Sequence, residues 1–259
     1  MSNTIAVRPQ DREPKECRYA LAPGVILFPV EEEGTARLLD MNRNFYAVSA
    51  TGTRMLQSTL ARGAVAAAQE IAEECGVALD RVQTDLDAFL SELQKRHIID
   101  RSARSANNQH SRIVDRIFLT LPLRLIDRWL RSWKMRASAL LLFARFSVHV
   151  FGWTRTIAAL TQYHPMSSRS AIKGTKEKIA TAVNDALSGS ATVHFIPMNC
   201  KERSLCCWTL ARWAGLPAIL VVGISLVPLC AHCWCEVGSL MLGDNPENCK
   251  QYTPVTRYA

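Results

Sequence analysis

The sequence lacks an apolar segment long enough to cross a membrane. Its longest apolar stretch, ASALLLFARFSVHVFGWT, is interrupted by Arg145 and His149 and falls short of the roughly 18 to 20 uncharged residues that a membrane-spanning helix needs. The first 16 residues also lack the apolar core of a secretory signal. We therefore expect a soluble cytoplasmic protein without a transmembrane segment, for which peripheral contact between this stretch and a membrane stays an open alternative.

The sequence also lacks the evenly spread cysteines of a disulfide framework. It has 9 cysteines, an odd number, and most of them follow position 199. In a reducing cytoplasm they remain thiols, so each is a candidate for chemistry or for packing rather than for a cross-link. We interpret Cys206, Cys207 and Cys249 as core residues.

Acidic residues are scarce in the middle of the chain. Residues 1–101 hold 12 Lys/Arg against 15 Asp/Glu, whereas residues 102–190 hold 14 against 4, a net charge of +10. A basic segment of this kind can face nucleic acid, an anionic membrane surface or an acidic peptide, or it can be a solvated helix face. The hydrophobic content of 48% indicates a folded protein rather than a disordered one.

After a polar N-terminus at 1–16 that we expect to be disordered, residues 17–101 indicate a small α+β unit. Its β-prone runs VILFPV, ARLLD and FYAV predict three strands in a meander. Three helices are predicted to follow, at about 51–62, 64–75 and 81–97.

Capping residues and apolar periodicity define these helices further. Ser49 is expected to cap the first helix, and Asp80 with Gln83 to form a capping box at the start of the third. The second helix is expected to bury Val65, Ala68, Ile71, Ala72 and Cys75. The third is expected to place on one face Val82, Leu86, Phe89, Leu90 and Leu93.

The run from MNRNFYAVSATGTRMLQ to LDAFLSELQKRHIID resembles the PqqD-like peptide-recognition element, a winged-helix-type domain. In that family a leader peptide adds as an extra strand beside the third strand and against the third helix, which is β-augmentation of an unpaired strand edge. The leader-binding residues that the resemblance implies are Phe45, Tyr46, Ala47, Val48, Leu86, Phe89 and Leu93. A winged helix can also bind DNA, but this unit is acidic and lacks a basic recognition helix, so DNA binding is disfavoured.

The middle of the chain is expected to be mostly helical. Residues 102–112 form a polar linker in this interpretation, and residues 113–162 interleave large apolar residues with arginine, as helices do. Pro122 is expected to kink or end a helix. A further helix is predicted at about 171–188.

The last 65 residues carry a candidate catalytic set. Cys200 is expected to begin a helix capped by Asn199 and ending near Gly215, where the helix dipole and free N–H groups stabilise a thiolate and can form an oxyanion hole. The segment AHCWCEV alternates as a strand and carries His232. The segment SLMLGD predicts a returning strand that brings Asp244 beside His232, which would supply a nucleophile, a base and an orienting carboxylate.

The order CKERSL, AHCWCEV, GDNP resembles the transglutaminase-like, papain-related fold, and more closely the B proteins of lasso peptide biosynthesis. The resemblance implies a cysteine protease domain at 113–259 with a basic helical N-terminal part, in which Cys200, His232 and Asp244 cleave the leader from a precursor peptide. It implies no cofactor in the chemical step, and an asparagine-synthetase-like cyclase as partner, through which ATP dependence could enter. We expect the basic segment, including Arg124, Arg128 and Arg131, to dock that cyclase.

Three alternatives stay open. The chain could be a non-catalytic chaperone that delivers the leader to the cyclase, or an acyl or glutaminyl transferase in which an amine replaces water on the same triad. A zinc site built from Cys230, Cys233, Cys235 and His232 is also conceivable, although an extended strand would point His232 away from Cys233 and Cys235. Arg203 and Trp234 are interpreted as structural.

Overall fold

The structure is a computed structural model that describes residues 19–30, 33–41, 45–101, 109–163, 174–191 and 198–259, with the backbone alone at 109–116 and 191. The predicted N-terminal segment 1–16 and most of the predicted linker lie outside these residues. Contacts divide the chain into two compact units, one assigned to residues 1–38 and 45–107 and the other to residues 39–44 and 108–259. Each unit is described by itself.

The first unit contains the three predicted strands and one further strand pair. The predicted strands form a sheet in the order β2-β3-β4, so that β4 is an edge strand among the described residues. Two short strands, β1 and β5, pair antiparallel and join the start of the unit to its end; the sequence analysis did not predict them. The bounds are β1 Tyr19–Leu21, β2 Val25–Val30, β3 Thr35–Asp40, β4 Phe45–Val48 and β5 Ile99–Arg101.

Three helices complete the first unit: α1 Ala50–Arg62, α2 Ala64–Cys75 and α3 Leu79–Lys95. The hydroxyl of Ser49 accepts the N–H of Gly52 at 3.2 Å, which confirms the predicted cap of α1. The predicted capping box of α3 is wrong, because Ala78 occupies the N-cap position and Asp80 lies within the first turn. In that turn the Asp80 carboxylate interacts favourably with the positive end of the helix dipole instead.

The core of the first unit lies between these helices and the sheet. Helix α3 buries its predicted stripe at Val82, Leu86, Leu90 and Leu93, with Phe89 only partly buried. On α2 the prediction is correct for Ala68, Ile71 and Ala72. It is wrong for Val65 and Cys75, which are both exposed, because they stand at the two ends of the helix.

The second unit begins with a helical layer. Helix α4 starts at Gln109, inside the segment predicted as linker, and Pro122 lies within it rather than ending it. The helix predicted at 171–188 runs instead from 176 to 191. The bounds are α4 Gln109–Trp129, α5 Trp133–Phe151, α6 Trp153–Gln162, α7 Lys176–Ala191, α8 Cys200–Trp213 and the short α9 Pro246–Cys249.

A four-stranded antiparallel sheet completes the second unit, in the order β8-β7-β6-β9. The sequence analysis predicted β7 and β8 but missed β9. Helix α8 packs against β7 on one side and against α5 and α7 on others, so ten of its fourteen residues are buried. The bounds are β6 Ile219–Leu226, β7 Leu229–Val237, β8 Leu240–Leu242 and β9 Thr253–Tyr258.

Polar contacts fix the central helix α8 in this layer. The indole N–H of Trp208 donates to the carbonyl of Ala218 at 3.1 Å, and the guanidinium of Arg212 donates to the carbonyl of Leu160 at 2.9 Å. Burying these donors without partners would cost free energy, so the bonds specify where α8 lies. Among the described residues, none of the helices has the length and apolar character of a membrane span.

Candidate active site

Cys200 is the first residue of α8. Asn199 holds the N-cap position, and its backbone N–H donates to the carboxylate of Glu202 at 2.5 Å. Glu202 is itself 3.5 Å from the guanidinium of Arg145. The Glu202 carboxylate thus links the N-cap to Arg145 and fixes the first turn of the helix. Cys200, as the first residue of that turn, lies at the positive end of the helix dipole, as predicted.

His232 and Asp244 meet through the β7–β8 hairpin. The turn uses Gly238 at a φ of 60°, a conformation that favours glycine. It returns the chain so that His232 Nε2 and Asp244 Oδ2 are 2.5 Å apart. Because Nε2 is engaged by the carboxylate, Nδ1 is the ring nitrogen left to interact with Cys200.

Further polar groups hold Asp244, and the sequence analysis did not identify them. The other carboxylate oxygen accepts the backbone N–H of Asn245 at 2.7 Å and the side-chain amide of Asn248 at 3.4 Å. The N–H of Gly243 donates to the side chain of Asn184 at 2.8 Å. Helix α7 therefore supports the turn that carries Asp244. This contact between Asn184 and Gly243 is long-range, so no local sequence pattern predicts it.

Aromatic rings flank the imidazole. The ring of Tyr252 stacks on His232 with centroids 4.9 Å apart, and the ring of Trp234 lies at 6.1 Å. Gly223 is paired with His232 in the β6–β7 ladder, and a Cβ there would come within 2.6 Å of Trp234. The absence of a side chain at Gly223 thus lets both rings approach.

The electrostatics of the site favour a thiolate and an imidazolium. The thiol of Cys233, which donates to Cys200, and then the imidazole of His232 lower the pKa of Cys200 to about 4 against the opposing effect of burial. The hydrogen bond with Cys200, and then that with Asp244, raises the pKa of His232. The hydrogen bond to Cys200 and burial raise the pKa of Cys233, which therefore stays a thiol and a donor.

The neighbouring cysteines form two pairs between α8 and β7. Cys200 and Cys207 are seven residues apart on one helix face, and Cys233 and Cys235 share one strand face. Cys233 contacts Cys200, and Cys235 contacts Cys207. Cys206, Cys207 and Cys249 are buried, which confirms their interpretation as core residues.

The zinc site that was left as an alternative is not assembled among the described residues. Within the described residues the group of side chains close enough to share an ion is His232, Asp244 and Cys249, whose ligand atoms lie within 4.8 Å of one another. It contains none of the three cysteines that this alternative would use as ligands. They face α8 or, in the case of Cys230, the hydroxyl of Tyr252 at 3.8 Å.

A pocket of about 550 Å³ opens over Cys200 and His232. The exposed Arg203 and the buried Ser204 line it beside the nucleophile. Arg203 is therefore part of the pocket wall, whereas the sequence indicated only a structural role for it. The other lining residues are Asn184, Ser188, Met198, Cys233, Trp234, Leu242, Gly243, Asp244, Asn245 and Asn248.

The predicted leader-binding residues lie together in the first unit but differ in accessibility. Three of them belong to the buried core and so pack beneath the predicted leader-binding surface without being part of it: Val48, Leu86 and Leu93. Phe45, Tyr46 and Phe89 are partly exposed and Ala47 is exposed. Arg96, which was not predicted, lies over the Tyr46 ring at 5.8 Å.

Comparison with known families assigns both parts of the chain. Residues 30–99 match the family described as coenzyme PQQ synthesis protein D, and residues 138–257 match the transglutaminase-like superfamily. The chain joins a PqqD-like domain to a transglutaminase-like domain. This pairing and order match the fused B proteins of lasso peptide biosynthesis. Neither the curated proteins nor the solved structures that were compared with the chain include a match.

The two domains confirm the predicted α+β fold class and support a role in the maturation of ribosomally made peptides. A PqqD-like domain implies precursor-peptide binding, and a transglutaminase-like domain implies cysteine protease or transferase chemistry. Both matches fall within the predicted domain ranges 17–101 and 113–259.

Proposed function

We propose that this protein is a cysteine endopeptidase that removes the leader from a lasso precursor peptide before a cyclase closes the ring. The observation that carries the proposal is the placement of Cys200 at the start of α8 in one pocket with the hydrogen-bonded pair His232 and Asp244. Such an arrangement supplies an activated nucleophile, a proton carrier and the group that orients it.

The proposed chemistry begins with attack of the Cys200 thiolate on the scissile carbonyl carbon. Backbone N–H groups in the first turn of α8 stabilise the oxyanion that forms. The imidazolium of His232 gives its proton to the leaving amine as the carbon–nitrogen bond breaks, which releases one peptide and leaves a thioester on Cys200. His232 then removes a proton from water, which hydrolyses the thioester and frees the second peptide and the thiolate.

Asp244 has a positioning role in this scheme. Its hydrogen bond to Nε2 fixes the ring so that Nδ1 faces the sulfur, and its charge stabilises the imidazolium. Asn248, 3.5 Å from the same ring nitrogen, supports the carboxylate. No cofactor takes part in these steps; ATP would enter only through the asparagine-synthetase-like cyclase.

Leader recognition is proposed for the first unit. The edge strand β4 can add a peptide strand through backbone hydrogen bonds. Tyr46 on this strand and Phe89 on α3 are partly exposed and offer apolar contact area to alternate side chains of the added strand. The buried Leu86 and Leu93 hold α3 in place beneath them.

The test compares wild type with Cys200→Ala by the intact mass of the precursor, with and without the cyclase and ATP. We expect two peptides with free termini from wild type and uncleaved precursor from the variant, which should still bind the leader. Cys75→Ala, on the exposed end of α2, is the matched control and should cleave normally.

The other outcomes separate the alternatives. Cleavage by Cys200→Ala would exclude this cysteine as the nucleophile. A product whose mass includes an added amine would indicate a transferase. Precursor that is bound but never cleaved, even with the cyclase and ATP present, would indicate a chaperone.

A further inference from the structure

Helix α4 exposes a continuous apolar stripe to solvent. Its members recur every four residues, with one extra aromatic residue, and so lie on one side of the helix. Each is at least 50% exposed, whereas Leu119 and Leu123 on the inner side are buried. The α4 stripe consists of Ile117, Phe118, Leu121, Leu125 and Trp129.

Such a stripe differs from ordinary surface apolar residues. Single exposed apolar side chains are common on soluble proteins, but a contiguous row marks a surface that is covered in use. From Ile117 to Trp129 the row extends about 18 Å along the helix. It ends in a tryptophan that is 72% exposed, a residue enriched where an apolar phase meets water.

The charges around the stripe indicate the nature of its partner. Arg124 and Arg128 are exposed on the same side of α4, and their positions in the helical repeat put them along one margin of the stripe. The acidic residue between them, Asp127, is buried beside Arg136. From residue 128 to residue 176 the sequence contains no Asp or Glu, so this surface suits an anionic partner.

The next helix repeats the pattern. On α5 the exposed apolar residues are spaced by seven or four positions, again as one helical face, and α5 contains no acidic residue. Each is 47% to 60% exposed. These residues are Met135, Leu142, Phe146 and Val150.

We propose that the α4 stripe is a peripheral binding site for a membrane with anionic headgroups. Helix α4 would lie in the plane of the membrane, with the stripe among the upper acyl chains and Arg124 and Arg128 reaching the phosphates. A nucleic-acid surface would not require the apolar row. An acidic protein partner would account for the charges, but an exposed apolar row on one helix, with arginine along its margin and tryptophan at its end, is the pattern of interfacial helices.

The experiment measures co-sedimentation of the full chain with vesicles of phosphatidylcholine alone or mixed with phosphatidylglycerol. We expect binding to the mixed vesicles that weakens as salt rises. Arg124→Glu with Arg128→Glu, and separately Leu121→Ser with Trp129→Ser, should each lower the affinity by on the order of tenfold or more. The matched controls are Arg81→Glu and Val65→Ser, exposed residues on α3 and α2, which should bind as wild type does.

Each contrary outcome overturns the proposal. Equal binding to neutral and mixed vesicles, or unchanged binding by both double variants, would exclude an electrostatic and apolar membrane site on α4. Absence of vesicle binding, together with loss of a dimer in Leu121→Ser/Trp129→Ser, would identify the stripe as a contact with a second copy. Absence of vesicle binding, together with loss of cyclase binding in the arginine double variant, would identify it as a protein-docking surface.

Discussion

Tyr252 lies against the imidazole of His232, with the ring centroids 4.9 Å apart and the planes inclined by 29°. This contact depends on Gly223, the partner of His232 in the ladder, because a Cβ at that position would lie 2.9 Å from the Cβ of Tyr252 and 2.6 Å from the ring of Trp234. The glycine on β6 therefore determines how closely the aromatic residues can hold the catalytic ring.

Gly223→Ala should impair activity by displacing these rings. Overpacking of this kind costs about 1–3 kcal/mol, and His232 would lose its fixed orientation, so we expect a lower kcat together with a lower melting temperature. Gly189→Ala on α7 is the control, because a Cβ there meets only the end of the Lys134 side chain at 3.7 Å. Unchanged kcat in Gly223→Ala would show that the stacked rings do not position His232.

The pH dependence of Cys200 alkylation follows from its lowered pKa of about 4. The thiolate should dominate above that value and be lost only as the pH falls through it, so iodoacetamide should react rapidly at pH 5 to 6. An unactivated thiol would react mainly as the pH approaches about 8.5. Mass mapping of the Cys200 peptide measures the rate, and the peptide with exposed Cys75 reports the reagent dose.

Cys233 should contribute to this activation as a hydrogen-bond donor. Cys233→Ala removes the donor, so the acidic limb of the alkylation profile should move up by about one pH unit. Cys233→Ser keeps a donor and should stay near wild type. Cys235→Ala is the control, because Cys235 lies two residues further along the same strand face but contacts Cys207 instead of Cys200. Identical profiles for all three variants would mean that the Cys233 thiol does not stabilise the thiolate.

Local patterns in the sequence were sufficient for the elements that carry the candidate triad. Helix α8 begins at Cys200 because Asn199 and Glu202 cap it, and the β7–β8 hairpin follows from alternation and a glycine turn. Each of these signals lies within a short stretch of the chain, so neighbouring residues alone predict it. The placement of His232 beside Asp244 then follows from the hairpin.

Sequence patterns did not predict the contacts that complete the site. Tyr252 immediately precedes β9, a strand with little burial and no clear alternation, and Asn184 reaches Gly243 from a helix 59 residues away. Cys233 was recognised as facing away from His232, but its contact with Cys200 depends on how α8 packs against β7. These relationships arise from tertiary packing, for which a single sequence carries no local signal.

Leader affinity should depend on the partly exposed face of α3. Phe89→Ala removes apolar contact area beside β4, so we expect weaker binding of the leader and a higher KM, with kcat unchanged at saturating precursor. Val65→Ala, which removes an exposed side chain from α2, is the control. Fluorescence polarisation with a labelled leader measures the affinity, and equal affinity for both variants would place the leader elsewhere on the protein.

Asp244→Asn should separate orientation from charge in the candidate triad. An amide can still hydrogen-bond to His232 Nε2, but it loses the negative charge that helps to raise the pKa of the imidazole. The imidazolium should then be lost at a lower pH, so the alkaline limb of the activity profile should move toward acid, and kcat/KM should fall by on the order of 10² to 10⁴. Asp185→Asn, an exposed change on α7, is the control for the loss of one charge. A lower rate with an unshifted alkaline limb would contradict the electrostatic role, because loss of the carboxylate charge should lower the pKa of His232 even where the amide keeps a hydrogen bond to the ring.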